Sequence, residues 1–184
     1  YFPNLIDSTA FKITEDEISK REHNEIPIII IPARLIEYRK GILNFLKCLG
    51  KKRLTGLIVN ILGEGKDRII LENFIKNNKL EKNIILHGNL EQNDVINMYK
   101  VANIFVLPSF LDPSPLTLVE ALYMRLPIIA SERCGNHFEA VINKKNGILI
   151  DPYSKKSIIN SFEFVMENKK NWRKMGAFFK FLEN

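Results

Sequence analysis

The chain has 184 residues, a formal net charge of +6, 46% hydrophobic and 26% charged residues, the size and balance of one folded globular domain and not of a disordered chain. No apolar run reaches the roughly 18 to 20 residues of a membrane span, and neither end reads as a secretion signal. Lysines spread in pairs such as Lys51-Lys52, Lys144-Lys145 and Lys155-Lys156 describe a solvated surface, with general attraction to anionic ligands or headgroups as the lesser alternative and no nucleic-acid site.

Residues 1–24, beginning "YFPNLIDSTAFK", lack clear periodicity and are read as an irregular lead-in, with the domain running over 25–184. Continuously apolar, β-branched runs predict strands at 27–31, 56–62, 83–87, 103–107, 127–130 and 147–150. Amphipathic patterns predict helices at 40–49, 66–77, 92–100 and 115–124, a short turn at 138–141, and closing helices at 155–167 and 171–181. Strands apolar on both faces need cover on both faces. The prediction is an α/β, Rossmann-like, doubly wound parallel sheet of about six strands with helices on both sides. Cys48 and Cys134 form no metal or redox spacing, so both are read as free thiols in a reducing, cytoplasmic setting.

Such sheets bind ligands beyond the carboxyl ends of their strands. After the first strand, "PARLIEYRKG" places Arg34 at the strand exit and Lys40 at the start of the next helix. Two cations there suit a diphosphate, although two solvated cations fit the same pattern. After the second, "LGEGK" offers Gly63 and Gly65, which permit close backbone approach to a ligand or merely a tight turn. In "SFLDPSPLTLVEAL", Ser114 is read as the N-cap and Pro115 as the first helical residue. The free amides near Leu116 and Thr117 then favour phosphate, with Glu120 in reach of ribose hydroxyls and Asp112 on the loop in reach of a sugar. A turn-organising Asp112 and a solvent-facing Glu120 fit equally well.

In order and spacing, "ARLIEYRKG", "VNILGEGKDR", "NIILHGNL", "NIFVLPSFLDPSPLTLVEALYMRLPIIAS" and "NGILIDP" together resemble the C-terminal, donor-binding domain of GT-B glycosyltransferases, in particular the retaining family 4, also called group 1. The family's hallmark of Glu, seven residues, Glu appears as Asp112 and Glu120. The resemblance implies transfer of a sugar from a nucleotide-diphosphate sugar with retention of configuration, in polysaccharide or glycoconjugate synthesis. It implies that Arg34, Lys40, the Gly63-Glu64 turn and the amides of Leu116 and Thr117 hold the diphosphate. Glu120 would hold the ribose, the backbone of Gly88, Asn89 and Leu90 would border the base, and Asp112 would contact the transferred sugar as the catalytic residue. It implies no metal and no cofactor beyond the donor. The acceptor domain of such enzymes precedes this one and is absent here, so the fragment alone is expected to be inactive. The full-length protein is placed in the cytoplasm, with peripheral association at the inner face of the membrane left open.

The pattern departs from the family at Asp112, where Glu is usual, at Ser114-Pro115, at Leu5, and at Arg125, where Gly is common and which is read as a tolerated surface change. "CGNHFEAV" carries one residue more than the usual run, so Gly135 has no fixed counterpart. His87 is read as a satisfied strand-end histidine, His137 as either a sugar-side contact or a loop residue, His23 as solvated, and Trp172 with "FFKFL" as core of the last helices. Two further functions share the fold: a non-catalytic nucleotide-binding or assembly module, and a sugar-nucleotide epimerase.

Overall fold

An isoleucine run at the centre of a sheet needs a covered face for every side chain. Ile29 and Ile31 point into one apolar core and Ile30 into another. In the computed structural model, which describes residues 10–178, six parallel strands form one sheet: β1 (Ile28–Pro32), β2 (Ile58–Leu62), β3 (Ile84–Gly88), β4 (Ile104–Leu107), β5 (Ile128–Ser131) and β6 (Gly147–Ile150). Their spatial order is β3-β2-β1-β4-β5-β6. The chain therefore winds outward from β1 to one edge, returns to β4 beside β1, and winds outward to the other edge. This is the predicted doubly wound α/β sheet.

The helices are α1 (Glu15–Glu22), α2 (Glu37–Lys40), α3 (Ile42–Leu54), α4 (Arg68–Asn78), α5 (Gln92–Val101), α6 (Leu116–Tyr123), α7 (His137–Ala140), α8 (Lys155–Glu167) and α9 (Trp172–Ala177). Leu46 of α3, Leu71 of α4, Phe162 of α8 and Trp172 of α9 close one face of the sheet. Tyr99 of α5 and Leu118 and Leu122 of α6 close the other. The indole of Trp172 satisfies its N–H on the Val165 carbonyl at 2.7 Å, which lets a polar aromatic be buried. The predicted last helix reaches only Ala177 among the described residues; most of the "FFKFL" run, like Leu5 at the other end, lies outside them.

Three local readings differ from the structure. The lead-in contains α1, which the sequence announces by a capping box: Thr14 Oγ1 accepts from the Glu17 amide at 3.2 Å, and Glu17 Oε2 accepts from the Thr14 amide at 2.8 Å. Lys40 ends the short helix α2 and does not begin α3. Between them Gly41 adopts φ +60°, and a Cβ there would sit 2.6 Å from the Pro108 carbonyl, so the turn needs glycine. The helix predicted to stop before Gly50 resumes after a break at that residue and runs to Leu54.

Arg125 has a left-handed backbone, φ +49°, which is why glycine suits its position. Its side chain pairs with Glu15 at 2.5 Å, so the residue is a docking point for α1 and not merely a surface change. Arg21 of α1 completes that docking: its buried guanidinium donates to the Met124 carbonyl at 2.8 Å and to the Arg125 carbonyl. Replacing Arg21 by Met strands two carbonyls that have lost their donor. The variant is expected to lose about 2–4 kcal/mol of stability, read as a lowered midpoint in urea unfolding.

Candidate functional site

Where the strand order reverses, between β1 and β4, the outgoing loops part and leave a crevice at the carboxyl ends. A cleft of about 360 Å³ opens there. It is lined by Pro32, Ala33 and Arg34 after β1, Leu62, Gly63 and Glu64 after β2, Gly88, Asn89 and Leu90 after β3, Val95 of α5, and Thr117 and Glu120 of α6. Arg34, Gly63, Glu64, Gly88, Asn89, Leu90, Thr117 and Glu120 are thus brought together. Leu116 sits one residue before Thr117 and is 43% exposed. Lys40 and Asp112 do not line this cleft.

Backbone hydrogen bonds fix the walls. The Ala33 amide donates to Leu62 at 2.9 Å, the Leu35 amide to Glu64 at 2.9 Å, and the Gly63 amide to Gly88 at 2.8 Å. The three loops are stitched edge to edge as a continuation of the sheet. The G-x-G after β2 serves this stitching: Gly63 has φ +128°, and a Cβ on it would lie 2.4 Å from the Ala33 carbonyl. The close approach is to the neighbouring loop.

Charge is distributed unevenly around the site. Arg34 is exposed, and its side chain has no hydrogen bond or ion pair among the described residues. Glu64 is held by Arg68, which also binds Glu72 at 2.7 Å. Lys40 pairs with Asp112 in an ion pair that is largely buried, their side chains 17% and 10% exposed. The backbone of Asp112 is clamped as well, its carbonyl accepting from the Gly135 amide at 2.8 Å. Burial, helped by the Asp112 carboxylate, pushes the neighbouring Cys134 thiol up to about 12. Gly135, which has no fixed counterpart in the family pattern, therefore joins the β5 loop to the β4 loop.

The helix α6 begins one residue later than expected. Pro115, with φ −72° and ψ 115°, is the N-cap, and Leu116 the first helical residue, because proline here keeps an extended ψ. The Leu118 amide bonds the Pro115 carbonyl at 3.3 Å, and the amides of Leu116 and Thr117 belong to the first turn, which has no intrahelical acceptor. Glu120, one turn in, is half-buried, and burial raises its pKa above the ordinary carboxyl value. Tyr99 partly opposes that shift by donating its hydroxyl to Glu120 Oε2 at 2.8 Å.

Sequence reasoning missed Tyr99, whose only signal is a polar-tipped aromatic on the apolar face of α5. It also missed the carboxylate of Glu37, which accepts the Leu43 and Asn44 amides, each at 2.8 Å, and so caps α3 from the preceding turn. His87 is satisfied by Asn60 at 2.9 Å. His137 Nδ1 faces the Cys134 carbonyl, and the exposed His23 faces Ser19 O at 2.7 Å.

Two consequences are measurable. Ala at position 63 meets both a left-handed φ and the Ala33 carbonyl, so Gly63→Ala should cost about 2 kcal/mol or more, seen by chemical denaturation. Glu120 has a folded pKa above its unfolded one, so its charge disfavours the fold once the pH passes that folded value. Glu120→Gln should therefore melt higher than the wild type near pH 7. The difference should shrink as the pH falls through the folded pKa and vanish below the ordinary carboxyl range, where Glu120 is neutral in both the folded and the unfolded chain.

Residues 13–178 match the family model described as glycosyl transferases group 1. A probable sucrose-phosphate synthase of Vicia faba is 36% identical over 89 residues, 46% of this chain and 8% of the plant protein. The chain thus spans under a tenth of that relative. Among solved structures, sucrose-phosphate synthase from Thermosynechococcus elongatus superposes with a TM-score of 0.81 at 22% identity, over 96% of this chain and 45% of that one. HepE from Anabaena, in complex with UDP and glucose, superposes at 0.79 and 18% identity over 95% and 49%. The fold is that of the C-terminal half of a GT-B glycosyltransferase, and with nearly all its described residues inside the family model, this chain belongs to the glycosyl transferases group 1 family.

Proposed function

We propose that the cleft between the β1 and β4 loops binds a nucleotide-diphosphate sugar, and that the chain is the donor-binding half of a retaining glycosyltransferase of polysaccharide or glycoconjugate synthesis. The observation that carries this reading is the meeting, in one cleft at the strand-order reversal, of Arg34, whose side chain has no partner among the described residues, with a half-buried carboxylate, Glu120. Family membership supports it, as does the shared fold with HepE, a protein solved with UDP and glucose.

In this reading Arg34 grips the diphosphate and the first-turn amides of Leu116 and Thr117 add their partial positive charge. The carboxylate of Glu120 accepts from the ribose hydroxyls, and the backbone of Gly88, Asn89 and Leu90 borders the base. Lys40 acts through Asp112: its ammonium holds that carboxylate towards the transferred sugar while adding charge beside the diphosphate. In transfer, the bond from the anomeric carbon to the diphosphate oxygen breaks, a bond to the acceptor oxygen forms on the same face, and the acceptor hydroxyl's proton passes to the departing diphosphate. Preorganised positive charge on the leaving diphosphate lowers that barrier. The reading calls on no metal and no cofactor besides the donor. An acceptor domain completes the cleft, so this chain alone binds nucleotide weakly and transfers little.

UDP, GDP and ADP, titrated singly, are the test. At least one should raise the melting temperature, and Arg34→Ala or Glu120→Ala should abolish the rise. No shift with any of the three overturns the proposal. The burial of Asp112 against Lys40 favours one second reading, a nucleotide-binding module that has lost transfer. Within a two-domain protein, donor hydrolysis that disappears in Asp112→Ala supports the transferase; an inert protein that still binds nucleotide supports the module.

A further inference from the structure

We infer that Tyr99 is a positioning residue of the donor site: its hydroxyl fixes Glu120 Oε2, leaving the rest of the carboxylate presented to the cleft as a receptor for the vicinal diol of a ribose. The inference rests on the proposed role of Glu120 and adds the group that sets its geometry.

Tyr99 is fully buried. Phe105 of β4 lies parallel to its ring, with centroids 6.3 Å apart and 12° between planes, and Phe11 meets its edge at 5.9 Å and 84°. A ring packed in this way has no second rotamer, so the hydroxyl has a fixed place. From there it reaches Glu120 Oε2 at 2.8 Å, and its oxygen stands 3.3 Å from the Thr117 carbonyl. Both acceptors belong to α6, while the donor belongs to α5, so one group ties the two helices whose residues Val95, Thr117 and Glu120 line the cleft.

A glutamate side chain turning about three torsions makes a poor two-point receptor. Held at one oxygen, its carboxylate plane is set before any ligand arrives. An ionised carboxyl offers about four lone-pair positions, and Tyr99 occupies one. Glu120 Oε1 has no hydrogen-bond partner among the described residues, which leaves it to a ligand. The phenol remains a donor throughout: burial, then the Glu120 charge, raise its pKa well above the ordinary value. A donor that never ionises is suited to hold a carboxylate that must.

The experiment compares UDP, GDP and ADP, each with its 2′,3′-dideoxy counterpart, by calorimetric or NMR titration of this chain. For the nucleotide that binds, Tyr99→Phe should cut the ribo-to-dideoxy affinity ratio by about tenfold while leaving the dideoxy affinity unchanged. Phe105→Leu, which loosens the ring without removing the hydroxyl, should lower the melting temperature and reduce the ratio by less than Tyr99→Phe does. In the wild type, the shielded Tyr99 hydroxyl proton should shift in the NMR spectrum with the ribonucleotide and not with the dideoxynucleotide, a readout that needs no variant. Equal weakening of both nucleotides by Tyr99→Phe, or a hydroxyl resonance indifferent to the ribose, overturns the inference. Glu120→Gln separates the two levels: if it collapses the ratio while Tyr99→Phe does not, only the role of Tyr99 fails. If Glu120→Gln leaves the ratio intact, or no nucleotide binds, the ribose assignment fails and the inference with it.

Discussion

Everything at the candidate site depends on the pairing of β1 with β4. These strands are neighbours in the sheet but far apart in the chain, and each is followed by a connection leading away from the other. Two loops that must diverge cannot fill the space above the strands they leave. The cleft is therefore a product of winding direction before it is a product of any side chain. The sequence then furnishes this space with Arg34 from one side of the reversal and α6 from the other.

The furnishing works against the stability of the fold. A half-buried carboxylate, an arginine without a partner among the described residues and a helix start closed by proline are each poor choices for packing alone. Satisfied polar groups stand close to them. Arg68 engages Glu64, Glu37 caps α3, and Asp67 accepts the Glu37 amide at 2.8 Å. Local polar strain concentrated where loops converge, in an otherwise consistent fold, is the usual mark of a site kept for binding. The Lys40–Asp112 pair belongs to the same economy: two charges are shielded together on the β1 and β4 loops, so neither stands alone in a low-dielectric place.

The sheet was legible because a strand covered on both faces must be apolar throughout, and the six apolar runs are short and bounded by turn residues. The cleft-lining loops were legible for a related reason, since strand exits in such a sheet have a known destination. What escaped was set by contacts distant in the chain. Nothing local in "NMYKVA" shows that Tyr99 reaches a carboxylate 21 positions on. No pattern in "EYRKGI" reveals that Gly41 lies against Pro108, or that Lys40, read as the start of a helix, ends one and pairs with Asp112. The start of α6 was misplaced by one residue because proline fixes φ and leaves ψ free. The capping box of α1 is local and readable, but it sits in a segment that has no apolar period to announce a helix.

The docking of α1 also bears on the connectivity of the whole molecule. Glu15 receives Arg125 on one oxygen and Arg173 of α9 on the other, the latter across 158 positions. The first and last helices of the described chain are therefore fastened to the same carboxylate, beside the turn that links α6 to β5. Among the described residues, the first helix lies against the last. A link between α1 and α9 would span a short gap, and new ends opened in an exposed loop would leave every strand pairing in place. The order in which the segments are written along the chain is thus less binding on this fold than the order in which they lie across the sheet.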